Sequence, residues 1–410
     1  MARTGLRRSN SGCVQALEPR QLLSADQLQV LIGSGAAKSV QYTDPNGTVV
    51  RVQLTGPGSA SVNFLGTGLG QSSNSKGLVI TGSGISLNSV SANGTLTTSS
   101  LQIATTGKKT VNIGSISVNG ALSALSAPKC VLTSSLSTTK WVGRLTLAGA
   151  QNSSISIGPA AGGAGTGLTA MLGTVTNETF SSAVRVNSLS ASQWINTHDV
   201  NSSLTEISGG PIGTFSIAHD ATVNMQVGAI GSLIVKGALS NSTIYLTTPL
   251  TPAKTNLSQL TVGALSTVDI ISNGSLGVIS AKQMSNSSIQ AGIVGTVPPM
   301  GLPLTTSDFK NTSSITSITL PKTASASFSN SFIAAYTIGS ASLGSVSMTN
   351  VTSPGTPFGI AAHKVTTASL FVQQAGNKLV HVANPATNAV FDNVLTAKGI
   401  TPADFEVRVV

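Results

Sequence analysis

Two histidine–aspartate pairs, His198-Asp199 and His219-Asp220, stand 21 residues apart. An imidazole beside a carboxylate can shuttle protons or ligate a metal ion. If the chain winds back on itself about every 20 residues, the pairs fall on adjacent turns, and Glu206 lies between them in sequence. Stacked in that way, they would bring two imidazoles and two carboxylates within reach of a metal or a sugar. The same pattern also reads as a duplicated turn, in which each aspartate accepts backbone hydrogen bonds and each histidine is a solvated neighbour. His198, Asp199, His219, Asp220 and Glu206 are therefore the candidate cluster, and the turn is the reading expected. Trp194 nearby suits either a sugar platform or core packing.

Other chemistry is thinly represented. Cleavage of polysaccharides needs two or three carboxylates converging on a groove. Beyond the pairs the central chain supplies only Glu178, Glu206 and Asp269, while His363 and His381 are isolated. There is no glycine-rich phosphate loop, no G-x-S-x-G elbow and no H-E-x-x-H. No catalytic residue, metal or cofactor is expected. Cys13 and Cys130 are too few for a disulfide framework and lack zinc-finger spacing.

The element that must position these residues is a short repeat. A small polar pair followed by an aliphatic residue recurs at Ser134-Ser135-Leu136, Ser153-Ser154-Ile155, Ser202-Ser203-Leu204, Ser242-Thr243-Ile244, Ser287-Ser288-Ile289 and Ser313-Ser314-Ile315, with Thr222-Val223 and Thr267-Val268 in the same places. Most steps lie near 20 residues. The longer ones carry insertions such as AAGGAGTG at 160–167 and VPPMGLP at 297–303. A second alternating phrase, as in Arg144-Leu145-Thr146-Leu147 or Gln259-Leu260-Thr261-Val262, precedes each first one. A period of about 20 is too short for a propeller blade, and the consensus of leucine-rich repeats is missing. It suffices for two or three strands of a few residues with tight turns, each strand returning in parallel one strand spacing above itself.

The expectation is an all-β chain, a parallel β-helix or β-solenoid of about 20 residues per coil, with roughly 13 to 14 coils in a rod near 65 Å long. Leu204, Val223, Ile244, Val268 and Ile289 are expected to form one inward column, with Ser242 on the outer face. The recurring asparagine of Asn152-Ser-Ser, Asn201-Ser-Ser, Asn241-Ser-Thr, Asn286-Ser-Ser and Asn311-Thr-Ser spells a glycosylation sequon. It is read first as a left-handed turn residue that hydrogen-bonds its stacked copies. Within 38–54, Val40 and Tyr42 face Val50, Val52 and Leu54 across Asp44-Pro45-Asn46-Gly47, the pattern of a hairpin. A helix is expected after Asn384-Pro385, with Val390, Phe391, Val394 and Leu395 on one face and Gly399 as its stop, followed by a strand through Phe405, Val407 and Val409. The divisions are 1–26 leader, 27–80 N-terminal β cap, 81–370 solenoid and 371–410 C-terminal cap.

Composition points outward. Only 8% of residues are charged, against roughly 25% in average soluble domains. Ser, Thr, Asn and 43 Gly occupy much of the rest. Such a surface suits an extracellular β-protein better than an intracellular enzyme. The net charge of +10 is scattered and aromatics are only 4%, so the stacking face of a nucleic-acid binder is missing. The charge fits attraction to acidic polysaccharide or cell-envelope components. Mean hydropathy is positive at +0.27, yet no apolar run approaches the roughly 18 to 20 residues of a membrane span.

Near the start, Leu17-Glu18-Pro19-Arg20, followed by Leu22 and Leu23, resembles the LEPR-XLL motif found near the N-terminus of surface or secreted proteins of planctomycete type. The resemblance covers about the first 26 residues, and it implies export or display. In similar proteins a hairpin precedes a β-helical region. Arg7-Arg8 and Ser11-Gly12-Cys13 hint at other export signals, but no apolar segment accompanies them. Together these features lead to a secreted or cell-surface protein that is structural or adhesive rather than catalytic. A β-helix polysaccharide lyase or glycoside hydrolase, or a carbohydrate-binding module, is the alternative.

Overall fold

The computed structural model describes residues 26–160, 167–197, 205–248, 255–294, 302–310, 312–350, 354–372, 378–385, 387–401 and 403–410. Residues 1–25, with Leu17, Glu18, Pro19, Arg20, Leu22 and Leu23, lie outside them, as do Asn201, Leu204 and Asn311.

Among the described residues the chain is almost wholly β, with 27 strands, one 3-10 turn and one α-helix. Alternation explains the strands. Val186–Ile195, for example, buries Val186, Leu189, Ala191 and Trp194 and leaves the serines between them partly exposed. No helix among the described residues is long and apolar enough to cross a membrane.

From Gly77–Thr95 onward the dominant pairing is parallel and between segments one repeat apart. One inward column runs Val90, Ile116, Leu136, Ile155, Phe180, Ile207, Met225, Ile244, Ile270, Ile289, Ile333, Ile360 and Val407, each in register with the next. All are at most 2% exposed. A second column includes Leu125, Leu145, Ala170, Leu189, Phe215, Leu233 and Leu260. A third passes from Val175 through Trp194 and Ala221 to Leu239. The columns meet across the interior, where Trp194 sets its ring edge-on to Phe215 at 5.8 Å.

The register differs from the sequence reading in one respect. Ile244 and Ile289 share a column, with Ile270 between them. Val223 and Val268 do not belong to it: Val268 lies opposite Ser242, and two residues beyond these valines Met225 and Ile270 face Ile244. The reason is the corner preceding each strand. Its first inward position holds serine in some repeats and valine in others, so aligning every polar pair on the next aliphatic residue slips by two wherever valine fills it. Ser242 is accordingly not on the outer face. It is 3% exposed, accepts from the Val223 N–H at 2.9 Å and donates to the Ser240 carbonyl at 2.7 Å.

At that corner the backbone turns left-handed. Asn152, Asn177, Asn241, Asn286 and Asn330 have φ between 39° and 50°, a region asparagine tolerates better than other residues with a Cβ. Their amides stack: Asn177 Nδ2 donates to Asn152 Oδ1 at 3.0 Å, Asn330 Nδ2 to Asn286 Oδ1 at 2.7 Å and Asn350 Nδ2 to Asn330 Oδ1 at 2.8 Å. Thr267 stands in the same place between Asn241 and Asn286, with φ 59° and a branched Cβ that resists it.

The ends depart from this scheme. Ser39–Thr43 and Val49–Thr55 form the expected hairpin, with Val40 opposite Val52 and Tyr42 opposite Val50. It pairs antiparallel with Ser100–Thr105, and Asp26–Gly33 and Gly77–Thr95 flank Ser59–Asn74 in antiparallel fashion. At the other end, Lys378–Ala383 turns back on Lys364–Val372. The helix Asn388–Ala397 packs Phe391 against Phe405 at 5.9 Å, and Phe405–Val409 is the strand expected there. Its N-cap is Thr387, while Asn384 makes a left-handed turn at φ 46°. Phe391 and Leu395 are buried, whereas Val390 is 37% exposed and so leaves the expected face. Gly399, at φ 68°, ends the helix.

Two outcomes test this register. Thr267→Asn is expected to stabilise the protein by about 1 kcal/mol by relieving the left-handed threonine, read as a higher denaturant midpoint; a lowered midpoint contradicts the corner assignment. Ser242→Asp and Ile244→Asp are both expected to cost several kcal/mol, since each buries a carboxylate. A silent Ser242→Asp would return that residue to the outer face.

Candidate functional site

His219 and Asp220 occupy an exposed bend between Ile212–Ile217 and Met225–Val227. The bend is fixed by the backbone. The His219 N–H donates to the Ser192 carbonyl at 2.9 Å, and the Gly237 N–H donates to the His219 carbonyl at 3.2 Å. Asp220 Oδ1 accepts from the Ala238 N–H of the following repeat at 2.8 Å. This is the bonding of a turn that ties one repeat to its neighbours. His198 and Asp199 lie outside the described residues.

Glu206 is buried at 3% exposure and directly precedes Ile207 of the first column. Its Oε2 accepts from the Asn224 N–H at 2.9 Å. Asn224 Oδ1 in turn accepts from the Thr243 N–H at 2.9 Å. Glu206 thus joins a ladder of polar groups that follows the repeats, its carboxylate accepting from Asn224 while that of Asp220 accepts from Ala238. Among the described residues no group of three or more His, Cys, Asp or Glu side chains is placed to hold a metal. Trp194 is fully buried against Phe215, so it is packing and not a sugar platform.

The unusual carboxylate is Glu178. It sits two residues before inward Phe180, and the period of two carries it into the interior, where it is 1% exposed. The Ser153 hydroxyl donates to Oε2, while Oε1 has no partner among the described residues. Burial pushes its pKa up to about 7, with the serine hydrogen bond opposing the shift. Asp269 is raised in the same way by burial, against a hydrogen bond from the Ser288 hydroxyl. The sequence signal was available, since Glu178 and Phe180 must share a face, but a buried lone acid carries no motif. Cys130 is likewise buried, and its thiol is pushed up to about 12, far from a reactive thiolate.

What this set can do is limited. Asp220 and Glu206 are engaged in holding neighbouring repeats together, and Glu178 is shut away from any substrate. Compared with protein-family models, with curated proteins and with solved structures, the chain matches none.

Glu178 makes stability depend on pH. Its folded pKa of about 7 lies above the ordinary value of 4.5, so the folded state holds the proton longer than the unfolded chain. Stability is full below about pH 4.5, falls as pH rises towards 7 and levels off above it, a loss on the order of a few kcal/mol. Melting curves between pH 4.5 and 8 should show that slope, and Glu178→Gln should flatten it and raise the midpoint at pH 8. A slope unchanged in Glu178→Gln would assign it to other groups.

Proposed function

We propose that the chain is a parallel β-solenoid displayed at the cell surface or secreted, with a structural or adhesive role and no catalytic one. The observation that carries this reading is a lattice of hydroxyls. Ser89 and Ser91, Ser115 and Ser117, Ser135 and Ser137, Ser154 and Ser156, and Thr179 and Ser181 flank successive members of the first inward column, from Val90 to Phe180, and so share the outer face of five stacked strands. Neighbours stand about 4.8 Å apart between strands and about 6.6 Å apart along each strand. None of the ten is charged. Asn63 Nδ2 donates to Ser89 Oγ at 2.8 Å; the other nine hydroxyls have no hydrogen-bond partner among the described residues.

A regular, uncharged array of free donors and acceptors suits contact with an extended, repetitive surface. Each hydroxyl contributes little alone, and many acting together give avidity. Hydrolysis would need the opposite: a few convergent carboxylates with free oxygens. The resemblance of the leader to LEPR-XLL proteins adds support for export, and the sparse charge of the whole chain fits the same location.

The purified chain incubated with envelope material from its own cells tests this reading. Retention is expected, and replacing Ser117, Ser137 and Ser156 together by Ala, which removes the hydroxyls without adding charge, should reduce it severalfold while leaving the melting midpoint near that of the parent. Retention unaffected by the triple change, or release of sugar from the envelope by the parent chain, would contradict it.

A further inference from the structure

The hairpin turn stands beside the beginning of Val111–Gly120, and between them lies a cleft of about 240 Å³. Its apolar lining is Pro45, Ile85 and Val111; Asn46, Ser86 and Asn112 add polar groups, all three exposed. Tyr42 also borders it, with its hydroxyl buried. The volume is below the range of roughly 300–1,000 Å³ usual for larger ligands, which suits one ring and not a chain segment. An apolar floor with amides and a hydroxyl at its margin matches a sugar, whose C–H face is apolar and whose edge is polar.

Charge narrows the sugar. Asp44 is the one carboxylate in the lining, and its Oδ1 is occupied by the N–H groups of Asn46 at 2.9 Å and Thr48 at 2.7 Å. Thr110, also in the lining, directly follows the exposed Lys108 and Lys109, so both ammoniums are tethered within one or two residues of the cleft. Lys129 Nζ donates to the Gly107 carbonyl of the same loop. Among the described residues the ion pair found is Arg408–Glu406, which leaves these three lysines without a carboxylate partner.

We propose that this cleft binds a single uronate unit of an acidic polysaccharide, the ring against Pro45 and Val111 and the carboxylate on Lys108 and Lys109. The site uses none of the lattice serines and stands if that lattice binds nothing.

Calorimetric titration at low salt with trigalacturonate and with its fully methyl-esterified form tests it. The free acid is expected to bind at least about tenfold more tightly, because charge-assisted contacts are lost with the ester. Lys108→Ala with Lys109→Ala should abolish that preference, and Asn112→Trp should block both ligands. Equal affinity for acid and ester, no binding of the acid, or a preference that survives loss of both lysines would overturn the proposal. Should Asn112→Trp fail to fold, amide NMR shifts of the parent chain decide: shifts at Asn46, Ser86 and Thr110–Asn112 support the site, and shifts confined elsewhere refute it.

Discussion

Each inward side chain of the repeats is covered by its counterparts one strand above and one strand below. Ile244 is buried because Met225 and Ile270 flank it in register, and the same holds along the column from Val90 to Val407. No repeat has a core of its own, so the apolar stabilisation of each, about 1.5–3 kcal/mol for a fully buried Val, Leu or Ile, exists only while its neighbours hold register. A slip of one residue would turn every aliphatic side chain outward.

Register is therefore enforced at the corners. The left-handed asparagines turn the chain at the same point of successive repeats, and their amides bond from one repeat to the next. Glycines do comparable work where backbones touch. A Cβ on Gly173 would lie 1.7 Å from the Ala148 carbonyl oxygen, and one on Gly149 would lie 2.4 Å from that of Thr174. Beside the strand Phe405–Val409 the helix Asn388–Ala397 lays Phe391 on Phe405. That contact covers apolar surface which would otherwise be open to edge-to-edge association.

Much of this was legible in the sequence because it depends on period. The alternation of aliphatic and hydroxyl residues, the step near 20 and the hairpin at Asp44-Pro45-Asn46-Gly47 are local patterns, and the pairing follows them. The two-residue slip at Val223 and Val268 shows where pattern ends. Valine and serine fill the same inward corner position, and only the pairing partners separate it from the column beside it. The candidate cluster was less legible. Spacing alone marks His219 and Asp220 as a repeated pair, but whether a carboxylate faces a ligand or a backbone N–H is settled by the next repeat, as Ala238 does for Asp220. Glu178 carries no motif, and the Ser153 hydroxyl that bonds it comes from the preceding repeat, 25 residues earlier. The cleft at the hairpin depends on segments 42–46, 85–86 and 110–112 meeting, which no single stretch of sequence announces.

The central claim is that segments one repeat apart are stacked in parallel and in register. Ser137 and Ser156 are register partners on the outer face, whereas Ser117 and Ser156 are two strands apart. Parallel neighbours stand about 4.8 Å apart, within the span of roughly 4.4–6.8 Å that a disulfide bridges, and two strands, at about 9.6 Å, exceed it. With Cys13 replaced and Cys130 left buried, mass spectrometry after mild oxidation should find a disulfide between cysteines introduced at 137 and 156 and none between cysteines at 117 and 156. Efficient bridging of the 117–156 pair, or none of the 137–156 pair, would contradict the stacking on which the rest of the structure depends.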